Sequence, residues 1–173
     1  MRSILCGCAL ASLLLVNMSH AAEPSRFTNY VSLSAGQSKY NGTSGDLSLN
    51  LGIGQMLNSN VSAEIFVRSL GFRFDGLDSL FGDTNFYPTD HGGIAVLGSV
   101  SAGTAVNAYG RLGIGRTTLE AATEPRAKEH ITDPSVGVGL VVGTVTRAAF
   151  KVEATRFTKS NVTTLLLGAD IRF

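Results

Sequence analysis

The chain has 173 residues, room for one domain, and its 14 Lys and Arg against 13 Asp and Glu leave a net charge of +1. A balance so close to zero lacks the electrostatic footprint of a nucleic-acid binder. Beyond the N-terminus no stretch approaches the roughly twenty apolar residues of a membrane helix, which excludes a helical membrane protein but not one that crosses on alternating strands of about 9–11 residues.

The N-terminus reads as a leader. Arg2 precedes an apolar run over Ile4–Val16, too short to span a bilayer, and Ser19-His20-Ala21 places small residues where a signal peptidase reads them. Residues 1–21 are expected to be removed, leaving 22–173 as the folded domain. Cys6 and Cys8 both fall in the leader, so the mature chain holds no thiol for a disulfide or a thiolate metal site.

Eight segments then alternate with period two. Strand one is expected over Phe27–Lys39, with Phe27, Val31, Leu33 and Ala35 on one face and Tyr30, Ser32, Ser34 and Gly36 on the other. Strand two, Asp46–Gln55, sets Leu47, Leu49, Leu51 and Ile53 against Asp46, Ser48, Asn50, Gly52 and Gly54. Strand three, Val61–Leu70, sets Val61, Ala63, Ile65 and Val67 against Ser62, Glu64, Phe66 and Arg68. A long acidic and aromatic connection, Gly71–His91, precedes strand four, Gly92–Ala102, where Ile94, Val96 and Val100 share a parity that Leu97 breaks. Strand five, Val106–Thr117, opposes Leu112 and Ile114 to Tyr109, Arg111, Gly113 and Gly115. A charged connection, Thr118–Pro134, leads to strand six, Ser135–Thr144, with Val136, Val138, Leu140 and Val142 opposite Gly137, Gly139 and Gly143. Strand seven, Ala148–Phe157, opposes Phe150, Val152 and Ala154 to Lys151, Glu153 and Thr155. Strand eight, Val162–Phe173, ends the chain on an apolar row of Leu165, Leu167, Ala169, Ile171 and Phe173.

Connections after strands two, four and six are short and those after three and five are long, so both chain ends lie on the short-turn side. A terminal hydrophobic strand left open would invite aggregation, whereas pairing it with the first strand closes a cylinder. Alternation does not itself say which row faces in. A soluble, periplasmic lipocalin-like barrel with a ligand cavity would put the apolar row inside. Three features favour the reverse. The polar row is small and glycine-rich, the apolar row is almost free of charge, and the charges of the polar row balance. Asp46, Glu64, Glu153 and Asp170 stand against Arg68, Arg111, Lys151 and Arg172, and are expected to pair as an interior network plugging the lumen, since unpaired buried charges are costly. Arg156 falls on the outer row near a rim, where it can snorkel or meet lipid phosphate. The fold expected is all-β: an eight-stranded antiparallel transmembrane up-and-down β-barrel.

Tyr30-Val31-Ser32-Leu33-Ser34-Ala35-Gly36, Glu64 and Arg68, Tyr109-Gly110-Arg111-Leu112-Gly113-Ile114-Gly115, Val136-Gly137-Val138-Gly139-Leu140, Lys151-Val152-Glu153 and the final Phe173, in that order, give a sequence that resembles the small eight-stranded outer-membrane β-barrels, OmpA/OmpX-like with opacity- and attachment-protein relatives. The resemblance spans essentially the whole mature chain. It implies a monomer in the outer membrane of a Gram-negative bacterium, with both termini periplasmic and with lipid and lipopolysaccharide around it. It implies a membrane-structural or adhesin-like role through loops at about 71–91 and 118–134, with a surface ligand there. It also implies insertion by the barrel-assembly machinery, whose signal is similar to Leu167, Ala169, Ile171 and Phe173.

No catalytic, cofactor or metal site is expected. His130-Ile131-Thr132 is the nearest match to the His-x-Ser pair of lipid A-modifying relatives, but it has Thr for Ser and lies in the expected loop beside Asp133-Pro134, and His91, followed by Gly92-Gly93, offers nothing. A nucleophile needs a base in reach, and that base needs an orienting group. Asp75, Asp78, Asp83 and Asp90 cluster in the first long connection, yet their spacing fits no calcium loop.

Overall fold

The computed structural model describes residues 28–40, 43–71, 86–121, 128–143 and 147–173, so the leader expected over residues 1–21 lies outside the described residues. Eight strands follow one another: β1 (Asn29–Tyr40), β2 (Thr43–Met56), β3 (Val61–Ser69), β4 (Phe86–Ser101), β5 (Val106–Ala121), β6 (Lys128–Val142), β7 (Ala148–Phe157) and β8 (Val162–Arg172). Every neighbour in sequence pairs antiparallel, and β1 pairs with β8 from Tyr30↔Arg172 to Tyr40↔Val162, closing the barrel. Beyond β8, the backbone N–H and C=O of Phe173 both bond Asn29, at 3.0 and 3.1 Å, so the last residue is tied into the seam.

The register fixes the size of the cylinder. The ladder runs Asn29, Gln55, Ala63, Val96, Leu112, Val136, Arg156, Thr163 and returns to β1 at Lys39, ten residues beyond its start. With strands about 4.8 Å apart and a rise of about 3.3 Å per residue, this stagger requires a tilt of about 40° and a Cα radius of about 8 Å. So narrow a lumen holds one layer of side chains from each wall, and the inward residues divide accordingly into large and small. The Tyr30 ring covers Gly54 and the Tyr109 ring covers Gly139, each pair directly opposite in the ladder, and a Cβ on either glycine would collide with the ring.

The apolar row faces outward all the way round. Leu33, Leu51, Ile65, Ile94, Leu112, Val138, Phe150 and Leu167 are exposed, while Ser32, Ser48, Asn50, Glu64, Arg68, Arg111, Glu153 and Thr164 are buried. A water-soluble barrel of the lipocalin kind would need the opposite arrangement, and that alternative is set aside. The outward stretch from Leu165 to Phe173 projects to about 20 Å along the axis, close to the apolar band of a transmembrane barrel. Leu97, which breaks the parity of Ile94 and Val96, is an inward residue packed with Phe66, Ala95 and Tyr109.

The two long connections are shorter than the sequence suggests. β4 begins at Phe86 rather than Gly92, β5 runs to Ala121 rather than Thr117, and β6 begins at Lys128 rather than Ser135. The added segments carry polar residues on both faces, buried His91 and Asp133 inward and exposed Asp90 and His130 outward, so apolar alternation no longer marks a strand. Pro88 also hides β4, sitting at a register shift in its pairing with β5.

Leu112→Lys places a charge in the middle of the outward band. It should cost about 2–4 kcal/mol in urea unfolding from lipid vesicles, as lipid-facing lysines do. A change within about 0.5 kcal/mol, the ordinary effect of a substitution on a wet surface, would mean this face does not meet lipid.

Candidate functional site

The middle of the lumen is occupied by two arginines and two glutamates. Glu153 on β7 accepts from Arg68 Nη2 (2.6 Å) across the barrel, from the Tyr109 hydroxyl (2.8 Å) and from Thr155 Oγ1 (2.8 Å). Arg111 donates to Glu64 Oε1 at 2.7 Å and lies 3.6 Å from Glu153 Oε2. The Tyr30 hydroxyl donates to the second oxygen of Glu64 at 3.2 Å. Arg68 also donates to Asn50 Oδ1 and Thr164 Oγ1, at 3.0 and 2.9 Å. Each strand contributes because its polar parity points inward, so residues far apart in sequence meet on one axis. The layer is neutral, and its charges are joined by charge-assisted hydrogen bonds.

Aromatic rings close the gaps around it. The Arg111 guanidinium stands 4.2 Å over the Phe66 ring, and Arg68 lies 5.6 Å from both Phe66 and Phe157. His91 fits between those rings, 5.4 Å from Phe66 and 4.6 Å from Phe157. Its Nδ1 shares a 2.8 Å hydrogen bond with Thr117, whose hydroxyl donates to Asp133 at 3.1 Å. Asp133 also accepts the backbone N–H groups of Lys159 (2.8 Å) and Ser160 (3.1 Å), pinning the β7–β8 turn into the mouth. Beside it Tyr40, Leu70, Phe157 and Val162 form an apolar cap.

The eight charged residues singled out from the sequence therefore separate into three levels. Glu64, Arg68, Arg111 and Glu153 meet at the centre. Lys151 and Asp170, 3.5 Å apart, sit toward the turn end, where Arg172 lines the same small recess with Tyr30 and Tyr109. Asp46 is half-buried at the loop end, opposite Ser38 in the ladder and away from the central group. Leu167, Ala169, Ile171 and Phe173 form the outward row of the closing strand.

His91 and Asp133 correct the reading of both as loop residues: each is fully buried within a strand. Continuing the inward parity of strand four back from Leu97 and Ala95 in steps of two reaches His91, a signal lost once Leu97 is read as an exception.

On the outer surface of β4–β6, Thr118 donates to Asp90 Oδ1 (3.0 Å) and lies 3.2 Å from His130 Nδ1. With its single hydrogen given to Asp90, Thr118 can only accept from His130, the wrong order for a base-activated nucleophile. Thr132 lies on the same exposed face as His130. Among the described residues no group of three or more His, Cys, Asp or Glu could hold a metal ion. Asp75, Asp78 and Asp83 lie outside the described residues.

Residues 8–173 match the model of a family described as outer membrane protein beta-barrel domain. No curated protein matches the sequence. The fold is similar to the N-terminal barrel of Pseudomonas aeruginosa OprF, with a TM-score of 0.61 at 12% identity over 86% of this chain and 100% of that one. It is also similar to Neisserial surface protein A, with a TM-score of 0.59 at 12% identity over 88% and 100%. Ail, the attachment invasion locus protein of Yersinia pestis, gives 0.55 at 16% identity over 84% and 97%.

Removing Glu153 leaves Arg68 and Arg111 facing one carboxylate. Glu153→Ala should lower stability by about 3–5 kcal/mol, as breaking a buried ion pair does. Tyr109→Phe, which removes one hydrogen bond to a charged group, should cost about 1.5–3 kcal/mol in the same unfolding assay.

Proposed function

The chain belongs to the outer membrane protein β-barrel family, whose members sit in the Gram-negative outer membrane, and on that premise we propose a membrane-structural and surface-interaction role, adhesin-like and without chemistry of its own. The barrel acts as a plugged post rather than a pore. Its short-turn end and both termini face the periplasm, and its loop end faces outward.

The observation that carries this reading is the projection of β4, β5 and β6. β4–β5 pairing runs to Phe86↔Ala121, four residues past Asp90, the last partner of β3. β5–β6 pairing runs to Glu120↔Lys128, seven residues past Ser135, the last partner of β7. At about 3.3 Å per residue, the sheet continues roughly 13–23 Å beyond its neighbours. A lipid anchor alone has no need of this wall, whereas a contact surface held clear of the membrane does. The apolar cap and the Asp133 latch brace its base.

The sequence of the two connections, 71–91 and 118–134, suggests the partner: there Asp75, Asp78, Asp83, Asp90, Glu120, Glu124 and Glu129 outnumber Arg73, Arg126 and Lys128, with Phe72, Phe74, Phe81 and Phe86 interleaved. One Ail structure holds the heparin analogue sucrose octasulfate. An acidic, aromatic surface suits a basic protein face instead of a polysulfate.

Replacing residues 74–84 and 122–127 with Gly-Ser linkers should leave the heat-modifiable gel shift of the barrel intact. Adherence of expressing cells to immobilised serum and matrix proteins should fall severalfold. Unchanged adherence would contradict the surface role. Phe173→Ala, which keeps the backbone bonds to Asn29, should slow assembly in cells while refolding in detergent proceeds normally. Equal effects in both settings would make the residue purely structural.

A further inference from the structure

Outside the barrel, one arc of the loop end is basic. On β4–β6 the outward rim carries both signs, Asp90 and Arg116 beside the Glu120–Lys128 pair, 2.6 Å apart. On β7, β8 and β1 the outward rows contain no acidic residue among the described residues, and at their upper end Arg156, Thr163 and Lys39 are direct neighbours in the ladder.

From this arrangement we infer that Arg156, Thr163 and Lys39 form a docking site for the phosphate of an outer-leaflet phosphorylated glycolipid, lipopolysaccharide, whose acyl chain lies in the apolar groove below. This deepens the reading above, because it requires the loop end to face outward.

Arg156 is already directed toward the headgroups. Its Nη1 donates to Thr163 Oγ1 at 2.8 Å and its Nη2 to Asn161, a turn residue with φ of 59° at the loop end. A guanidinium has five N–H groups, so these contacts leave a donor edge facing solvent. Thr163 accepts from Arg156, and its own hydroxyl proton remains to donate. Lys39 is exposed two strands from Arg156, about 10 Å between Cα atoms, a gap that two long side chains close around one phosphate.

The groove supplies the second half of the lipid. Leu33, Ala35, Leu49, Leu51, Val67 and Leu167 line a depression on the outer wall of β8 to β4, with Ala35 and Gly92 among its small residues. Ala35 lies four residues below Lys39 on the same strand, about 13 Å, so the groove begins within reach of a headgroup held at the rim. The far corner of the groove is bounded by Asp90, whose carboxylate accepts from Thr89 and Thr118 and would repel a phosphate there. Headgroup and chain are thus directed to one side.

The test uses full-length protein in phosphatidylcholine nanodiscs doped with bisphosphoryl lipid A, its dephosphorylated form, or phosphatidylglycerol, with bound lipid counted by native mass spectrometry. Lipid A should be enriched around the wild-type barrel. Lys39→Gln/Arg156→Gln, which removes both charges and keeps polar side chains, should reduce that enrichment about tenfold or more. Arg116→Ala, on β5, should change it little. Equal retention of the dephosphorylated form, equal enrichment of phosphatidylglycerol, undiminished binding by the double variant, or an equal loss in Arg116→Ala would each overturn the proposal. Should the double variant not fold, Arg156→Gln alone is read against the same outcomes. The Gly-Ser linker variants should bind lipid A normally, so a failed adherence test and a failed lipid test stay separate.

Discussion

Glu153 accepts from Arg68, Tyr109 and Thr155 at the middle of the cylinder, and Arg111 joins it to Glu64. The rest of the molecule depends on this closure. In a cylinder of about 8 Å Cα radius no layer of bulk water surrounds a charge, so each ion must meet its counterion within the wall. Two arginines and two glutamates on β3, β5 and β7 do so across the barrel. The Arg111 guanidinium, with Nε and Nη2 left without an acceptor among the described residues, lies over the Phe66 ring, and Phe157 and His91 take the space left over.

The same constraint shapes the exterior. Ionic and hydroxyl groups taken inward leave the aliphatic row to face out, and a closed ladder leaves no backbone edge to satisfy in lipid. Where the ladder continues past its neighbours, on β4 to β6, its outward surface becomes polar and carries both signs of charge. Where it stops at the rim, on β7 to β1, the outward charged groups are basic.

Much of this was legible in the chain. Period-two alternation located eight strands and assigned outward rows such as Leu47, Leu49, Leu51 and Ile53, because inside the membrane the two faces meet different solvents. It failed where both faces turn polar. His130, Asp133 and Pro134 belong to β6, but with buried Asp133 on one face and exposed His130 on the other the apolar alternation is lost, and its charges resemble a loop. The site was less legible than the fold. Parity brought Glu64, Arg68, Arg111 and Glu153 to one side of the sheet, yet their heights come from the ten-residue stagger of the register, which no single strand encodes. Asp46 shares their parity and sits at a different level for that reason. The His91–Thr117–Asp133 chain was missed because two of its members lie in segments read as connections.

Which way the aliphatic row faces is the central claim, and it can be measured at one position. Both cysteines of the sequence lie at residues 6 and 8, so in a chain expressed from residue 22 a nitroxide on Leu167→Cys reports alone. In lipid vesicles that label should relax readily with dissolved oxygen and scarcely with a water-soluble nickel chelate. Ready relaxation by the chelate, or shielding from both reagents as in a dry lumen, would contradict the account.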